Sequence, residues 1–419
     1  MAALPHALRV LRHRDLRLFF AGQAVSLVGT WMQSVAQSWL VYRLTGSAAL
    51  LGVVYFLSQG PVFLFGMLGG ALADRHPRRV ILIRAQSLAL LQAVVLAVLT
   101  LGGWIRVWQL LPLAAVLGVV QAFEIPARQA LLGELAGRDV PNAVALNSTL
   151  VNTARVLGPA IAGYVLAAVG EGWCFLLNAL SFVAVLAALW AMNPSPAPSS
   201  HALASGPLEH LRAGLRYARD HRMLRALLGL LAVSSFFGLP YTALLPIFAA
   251  EVHGGGPALL GRFLGSAGAG ARTGALVLLL RTRQGGMARR VGMGATWLAL
   301  GLIGFALSRE TLLAQGCLFV AGYGFIRQMA GTMTLLQGLA PEHLRGSVVG
   351  LFTTLFVGVS PFGGLLAGWA ASRVSATVTL ATGAATVLAA SAAFHLALPS
   401  IRRSVRGQAP SLSPTHPRP

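Results

Sequence analysis

Long apolar runs are the feature that most constrains how this chain can fold. Twelve of them recur along the 419 residues, and each is close in length to the about 20 residues that a helix needs to cross a bilayer. Only 10% of the residues are charged, against about 25% in an average soluble domain, so the chain cannot cover a water-facing surface. The sequence therefore predicts an all-α polytopic membrane protein with twelve transmembrane helices. The predicted spans are residues 18–42, 48–73, 80–101, 107–123, 142–169, 173–192, 224–249, 259–280, 291–308, 312–335, 346–371 and 376–398.

The longest interruption divides these runs into two groups of six. It opens with a Pro/Ser-rich stretch and closes with a segment whose apolar spacing predicts a short amphipathic surface helix. The groups also share a short repeat, because Gly158-Pro159 in the fifth run corresponds to Ser360-Pro361 in the eleventh. We therefore predict two pseudo-symmetric six-helix halves with a site at their interface. The predicted units are the halves 1–192 and 223–399, the cytoplasmic linker 193–222 and a disordered cytoplasmic tail, 400–419.

The net charge of +21 comes from 32 arginines and no lysine, set against 11 acids. Without lysine the chain lacks the residue that a P-loop ATPase or a Schiff-base enzyme requires. If the N-terminus is cytoplasmic, 23 of the 32 arginines fall on the cytoplasmic side of the predicted spans. The positive-inside rule then predicts a multi-pass protein of the cytoplasmic (inner) membrane with both termini in the cytoplasm. The charge is thus a signal of topology, and no nucleic-acid partner is predicted.

A charged segment between the second and third runs reads Gly70-Ala71-Leu72-Ala73-Asp74-Arg75-His76-Pro77-Arg78-Arg79. It resembles the cytoplasmic loop signature of the major facilitator superfamily, with Pro77 where that family usually has glycine. The resemblance implies the major facilitator fold and a latch between the halves that closes in the outward-facing state. In this latch Asp74 caps the amino end of the eleventh span, where the helix dipole favours an anion, and Arg78 pairs with Glu124. The predicted gate residues are Gly70, Asp74, Arg75, Arg78, Arg79 and Glu124. For Arg75 and Arg79 the alternative is a role as positive-inside anchors only.

The stretches 122–132, 147–159 and 336–346 resemble the exporter branch of that superfamily, which includes enterobactin and macrolide efflux proteins. In the fifth span the Gly-Pro pair removes a side chain and a backbone donor in mid-helix, so the helix can bend and a neighbour can approach. Relatives with this element are mostly antiporters, and the resemblance therefore implies export. An ordinary kink is the alternative. The antiporter-like element consists of Arg155, Gly158, Pro159 and Gly163.

Polar side chains within the spans are expensive in lipid, so each faces either a cavity or another helix. In the first span they recur on one helical face, which favours lining of a central cavity; hydrogen bonding between helices is the alternative. The cavity candidates are Gln23, Thr30, Gln33, Gln37, Gln59, Asn152, Arg155, Tyr241 and Arg327. Arg155 and Arg327 are the expected functional pair. Arginines without acids in a central cavity favour an anionic substrate, such as a catecholate siderophore.

Proton coupling is implied by the resemblance and requires a carboxylate or histidine that changes partner during transport. The candidates are Glu124 and Asp15, and His395 is the only histidine within a predicted span. Cys174 and Cys317 lie in or beside apolar runs without metal-ligand spacing. The sequence therefore predicts no cofactor and no metal site.

These features predict a secondary transporter, not an enzyme, that exports a small molecule from the cytoplasm by alternating access with proton antiport. Its expected partners are the small-molecule substrate, protons and the lipid bilayer, and it is expected to be a monomer. The substrate is either an antibiotic- or drug-like amphiphile or a siderophore. The alternative from another class is a polytopic membrane enzyme acting on lipid-linked substrates, which would need a cluster of acids or histidines at one interface.

Overall fold

The computed structural model describes residues 11–193, 207–280 and 286–407. Parts of the predicted linker (194–206) and tail (408–419) lie outside the described residues. Within the described ranges every regular element is helical. The long helices are α1 Arg14–Thr45, α2 Ala48–Arg75, α3 Arg78–Leu101, α4 Val107–Ala136, α5 Val140–Val169, α6 Glu171–Ala191, α7 Pro207–Asp220, α8 Arg222–Val252, α9 Pro257–Leu280, α10 Met287–Leu307, α11 Thr311–Leu339, α12 Arg345–Arg373 and α13 Ala376–Gly407.

Each predicted apolar run coincides with one of these helices. In the part of the chain that the structure describes, nine helices are long and apolar enough to cross a membrane: α2 to α6, α8, α10, α12 and α13. The largest departure from prediction is α4, which continues through Pro126 to Ala136 instead of ending at residue 123. Its added turns are stabilised by burial of Leu131 and Leu132 in a cluster with Leu16 of α1 and Leu82 of α3.

The helices before and after the linker pack mainly among themselves. In the first helix group, α1 to α6, α1 packs on α5 and α6, α2 on α4, and α3 on α4 and α6. In the second helix group, α8 to α13, α11 packs on α9 and α10, and α10 packs on α13. Small residues allow the close contacts: a Cβ on Gly294 of α10 would lie only 2.7 Å from the backbone nitrogen of Gln328 on α11.

The two groups meet along two helix pairs, α2 with α12 and α5 with α9. The largest buried apolar cluster therefore contains residues from both groups, including Leu51 of α2, Leu245 of α8 and Phe263 of α9. α8 is irregular at this junction, because Pro240 has no backbone donor and the helix restarts at Tyr241. α8 and α12 also contain π-helical stretches, Ser234–Gly238, Phe248–Val252 and Thr354–Gly358.

The predicted amphipathic segment of the linker corresponds to α7, which lies across the ends of α11 and α12. The Tyr217 hydroxyl donates a hydrogen bond to the carbonyl of Leu339 at 3.1 Å. Gly214 packs so closely on α12 that a Cβ there would lie 2.7 Å from the carbonyl oxygen of Ser347. The helix presents Arg212, Arg216 and Arg219 to the outside. α7 is thus attached to the second helix group.

Candidate functional site

The helix groups touch closely at the end of the bundle where α1 ends and α2 begins. This end is here called the opposite end, because it lies opposite the charged segment between α2 and α3. A Cβ on Gly52 of α2 would lie 2.7 Å from the carbonyl oxygen of Gly364 and 3.0 Å from the Cα of Gly368, both on α12. A Cβ on Gly163 of α5 would lie 2.9 Å from the Cα of Gly261 on α9. Backbones can approach this closely only because neither partner has a side chain. The opposite end is therefore closed.

Polar contacts surround this closed end. The Tyr42 hydroxyl of α1 donates to Oε1 of Glu251 on α8 at 3.2 Å, which links the two groups. Arg43 pairs with Glu171 within the first group, with Nε and Oε1 2.6 Å apart. Just beyond α8, the His253 ring packs against Phe263 and Phe305, with centroid distances of 5.3 and 6.3 Å. Burial among these rings lowers the pKa of His253 below its ordinary value.

The other end of the bundle carries the charged segment between α2 and α3, and is here called the signature end. Asp74 and Arg75 are exposed there. A Cβ on Gly70, Gly346 or Gly350 would meet no described atom within 4 Å. Among the described residues, the predicted contact of Asp74 with the start of α12 is not formed in this conformation. At these described positions of the signature end, the two groups are therefore apart.

The expected pairing of Arg78 with Glu124 is not formed among the described contacts of this conformation. Arg78 instead pairs with Glu134, with Nη1 and Oε2 2.9 Å apart, and Glu124 lies 3.1 Å from Nε of Arg128, one turn along α4. The reason is the greater length of α4: Glu134 lies ten residues, or about 15 Å, beyond Glu124 toward the signature end, beside the start of α3. Arg79 donates to the carbonyls of Leu189 and Trp190 at the end of α6.

The polar stripe of α1 lies largely between helices. The Gln33 amide donates to Gln92 of α3 at 3.0 Å and accepts from Asn178 of α6 at 2.7 Å, and the Gln33 side chain is fully buried. Gln23 and Gln37 are also buried, at 1% and 3% exposure. The prediction that these three line an open cavity is therefore wrong here, because α1 has packed neighbours on that face. Gln33 instead fits the alternative, which is hydrogen bonding between helices.

The remaining cavity candidates divide into two kinds. Arg155, Gln59, Tyr241 and Thr30 are half-buried, and Thr30 donates to its own helix at the carbonyl of Ser26. Asn152 is exposed and likewise donates to its own helix, at the carbonyl of Ser148.

A charged and aromatic cluster lies between the two groups. The Arg155 guanidinium of α5 stacks over the ring of Trp31 on α1, 5.1 Å from its centroid. A Cβ on Gly158, one turn later, would lie 2.5 Å from the Cβ of Trp31, so glycine is required for this approach. The hydroxyls of Tyr55 on α2 and Ser360 on α12 are 2.8 Å apart. Sequence reasoning missed Trp31, Tyr55 and Ser360 as members of this cluster, because their burial and their distance from Arg155 are set by the packing of helices that are distant in sequence.

Arg327, the other half of the expected functional pair, is not brought to Arg155 by any described contact. It is 9% exposed on α11 and donates from Nη1 to the hydroxyl of Tyr323 on the same helix at 2.6 Å. Among the other candidates, Asp15 is half-buried in the first turn of α1. His395 of α13 packs against Gly292 of α10: a Cβ on Gly292 would lie 2.8 Å from the His395 ring.

The arrangement has close counterparts among solved structures. The peptide transporter POT matches with a TM-score of 0.76 over 96% of this chain and 99% of its own, at 13% identity. The nucleoside transporter NupG matches with a TM-score of 0.72 over 91% and 98%, also at 13% identity. A bacterial homologue of the human lysosomal transporter Spinster, in an inward-facing and unoccupied conformation, matches with a TM-score of 0.67 over 97% and 98%, at 16% identity. These likenesses define the class: the chain has the fold of a major facilitator transporter.

Within that class the family is defined by sequence. The chain belongs to the transmembrane secretion effector family, whose profile matches residues 6–414. It is similar to the staphyloferrin A transporter of Staphylococcus aureus, at 26% identity over 358 residues, which cover 84% of this chain and 88% of the relative. It is also similar to the enterobactin exporter EntS of Shigella boydii, at 29% identity over 382 residues, which cover 85% of each. The chain is thus a multi-pass membrane transporter with siderophore-transporting relatives.

Proposed function

We propose that this protein exports a small siderophore-like molecule from the cytoplasm by alternating access. In this proposal the nine apolar helices are joined by α1, α9 and α11 to make twelve spans in two six-helix halves, residues 1–192 and 223–399. Each added helix is long enough to cross a bilayer, with 32, 24 and 29 residues respectively. Of the four buried apolar clusters among the described residues, two draw only on residues before the linker, and a third draws on α7 and the helices that follow it, which supports two halves.

The observation that carries the proposal is the contrast between the two ends. The groups are in close contact at the opposite end, through Gly52 with Gly364 and Gly163 with Gly261, and apart at the signature end. Alternating access needs two states of this kind, each open at one end only. The arginines concentrate at the signature end, so the positive-inside rule makes that end cytoplasmic and the conformation inward-facing.

The same proposal assigns roles to the signature residues. In the outward-facing state the signature end closes, Asp74 caps the start of α12, and Gly70 lets α2 approach it. Arg78 stays within its own half through Glu134, while Arg75 and Arg79 hold the segment at the membrane surface. In the inward-facing state, the element of Arg155, Gly158, Pro159 and Gly163 keeps α5 close to α1 and α9. Export is coupled to proton entry, with Glu124 and Asp15 as the candidate carriers, and the monomer is the working unit.

The test is export from cells. The protein is produced in a bacterial strain that lacks its own siderophore exporters and drug efflux pumps, and the secreted catecholate and carboxylate siderophores are measured with and without a protonophore. We expect secretion to rise with the protein and to fall when the protonophore collapses the proton gradient. Gly163→Val, which blocks contact with Gly261, provides a matched inactive control, and Gly229→Val, at an exposed glycine with open space around it, provides the active one.

The outcomes separate the candidate functions. Unchanged siderophore secretion together with lower accumulation of dyes and antibiotics would assign the protein to drug efflux instead. Unchanged secretion and unchanged accumulation would contradict export altogether and return the membrane enzyme to consideration. The siderophore is preferred because the relatives named above are a siderophore transporter and a siderophore exporter.

A further inference from the structure

Arg155 carries a charge that the described protein leaves uncompensated. The three ion pairs of the described residues join Arg43 to Glu171, Arg78 to Glu134, and Arg128 to Glu124, and none includes Arg155. Its Nε atom is buried without a hydrogen-bond partner. Among the described residues, the phenols of Tyr241 and Tyr55 interact electrostatically with it. A buried cation without a carboxylate is costly, so an arriving anion would be strongly favoured here.

The surroundings of this cation are aromatic. The central guanidinium carbon lies over the Trp31 ring, 5.1 Å from the ring centroid, in position for a cation–π contact. Tyr55 and Tyr241 approach from α2 and α8, so the cluster draws on both helix groups. All four residues are half-buried, so none of them is fully enclosed by the protein. We call Trp31, Tyr55, Arg155 and Tyr241 the Arg155 site.

Arg327 provides the internal contrast. It also stacks over an aromatic ring, that of Tyr323, at 5.1 Å, but its guanidinium donates to the Tyr323 hydroxyl on the same helix. That hydrogen bond satisfies part of the Arg327 guanidinium locally, and the side chain is only 9% exposed. The Arg155 guanidinium has no such bond among the described contacts. Of the two, Arg155 is the one left for a ligand.

We propose that the Arg155 site binds the negatively charged aromatic group of the substrate, with the guanidinium on the anion and the rings of Trp31 and the two tyrosines against the aromatic face. This inference rests on the proposed function and names its substrate class: an aromatic carboxylate or catecholate, rather than an aliphatic polycarboxylate or a neutral amphiphile. A fork of N–H donors suits a carboxylate, and flat rings suit a flat ligand. Arg155 is then the residue that determines specificity for charge.

The test is direct binding to the purified full-length protein in nanodiscs. Radiolabelled 2,3-dihydroxybenzoate is the probe, and unlabelled 2,3-dihydroxybenzamide and citrate are competitors. The amide keeps the aromatic ring and loses the charge, whereas citrate keeps the charge and lacks the ring. We expect the acid to bind at least about tenfold more tightly than either competitor, as a charge-assisted hydrogen bond implies. Citrate competing as well as the acid would overturn the aromatic part of the proposal.

Variants locate the binding. Arg155→Gln should weaken binding of the acid about tenfold or more and change binding of the amide less than twofold. Arg155→Lys, which keeps the charge and loses the planar stack on Trp31, should give an intermediate loss. Arg84→Gln, at an exposed arginine of α3, is the matched control and should bind as the parent does. An equal loss for acid and amide in Arg155→Gln would overturn the proposal, because it would indicate a structural role.

The binding assay needs no cells and no gradient, so it fails separately from the proposed function. Normal siderophore export with no preference for the acid would overturn the Arg155 site and leave export in place. Preferential binding of the acid without siderophore export would overturn the proposed function and leave the Arg155 site in place. Size-exclusion chromatography of each variant verifies that it is folded. Trp31→Phe tests the stacking contact a second time, by changing the ring instead of the arginine.

Discussion

The two ends of the helix bundle are held by different physical interactions. At the opposite end the helix groups touch backbone to backbone, through Gly52 with Gly364 and Gly163 with Gly261. At the signature end the strong contacts are made by charged side chains within one group: Arg78 forms an ion pair with Glu134, and Arg79 donates hydrogen bonds to backbone carbonyls at the end of α6. Close packing of small residues tolerates almost no added volume, whereas a charged segment keeps its own fold when the groups separate.

This difference suggests how one chain can open at either end. Glycine contacts between groups contribute only dispersion energy, so they can form and break without leaving buried charges unpaired. The ionic contacts of the signature end stay within the first group and keep the segment in shape while it is exposed. The closed end is therefore sensitive to volume, and the open end is sensitive to charge.

The largest expected effect is that of added volume at the closed end. Gly163→Val places a branched side chain where a Cβ would already lie 2.9 Å from the Cα of Gly261, so the two helices cannot meet. We expect export to fall at least about tenfold because the closed end opens. Labelling of a cysteine introduced at Ala48, which is buried against α12, should rise in this variant.

The control for this effect is Gly229→Val, at a glycine whose Cβ would meet open space. It should leave both export and labelling unchanged. The native thiols do not confuse the measurement if their labelling is subtracted, since Cys174 is buried and Cys317 half-buried. Normal export by a well-folded Gly163→Val protein would show that closure does not depend on this contact.

A smaller effect is expected from charge at the signature end. Arg78 and Glu134 are mostly buried, at 18% and 15% side-chain exposure, so removing either leaves the other without its partner. Arg78→Gln should lower the free energy of unfolding by about 1–3 kcal/mol. Thermal unfolding of the purified variants measures this loss, and it should shrink when Glu134→Gln is already present. The loss caused by Arg78→Gln should keep its full size when Glu124→Gln is already present. A smaller loss there would support the pairing of Arg78 with Glu124 that is expected from sequence.

These contacts also mark what could be predicted from the sequence. The apolar runs predicted every long helix except α7, because about 20 apolar residues in a row admit few alternatives in a membrane. What packs against the Gln33 side of α1 could not be predicted in the same way. Helical periodicity places a residue on a face, but it does not say whether that face meets a cavity or the neighbouring helices α3 and α6.

Partners distant in sequence were the harder part of the site. Arg155 was selected because it is an arginine inside an apolar run, and that required no knowledge of its neighbours. Trp31, which covers it, is separated from it in the chain by three helices, α2 to α4, and has no sequence signal that distinguishes it from a lipid-facing tryptophan. The pairing of Arg78 with Glu134 could not be predicted because α4 passes through Pro126 without ending, and its added turns depend on tertiary burial.

A modest effect is expected from the hydrogen bond that joins the groups at the closed end. Tyr42→Phe removes the hydroxyl that donates to Glu251 at 3.2 Å and keeps the ring. Because the contact is exposed, we expect only about a twofold rise in labelling of the cysteine at position 48, and a similar rise for Glu251→Gln. Ser38→Ala, which removes a hydroxyl bonded only within α1, is the control. A tenfold rise would mean that this bond, and not the glycine packing, keeps the end closed.

The smallest effect is a pH dependence at the same end. Burial against Phe263 and Phe305, with the positive charge of Arg309 nearby, lowers the pKa of His253 in the folded chain. The unfolded chain therefore takes up this proton first as the pH falls. The stability that is present above about pH 6.5 is lost as the pH drops through the folded-state pKa. The unfolding temperature should fall between pH 7.5 and 5.5 by an amount on the order of 1 °C more in the parent than in His253→Gln. His76→Gln changes an exposed histidine of the signature end, so its unfolding temperature should fall by as much as that of the parent. An identical fall in all three proteins would contradict the assignment to His253.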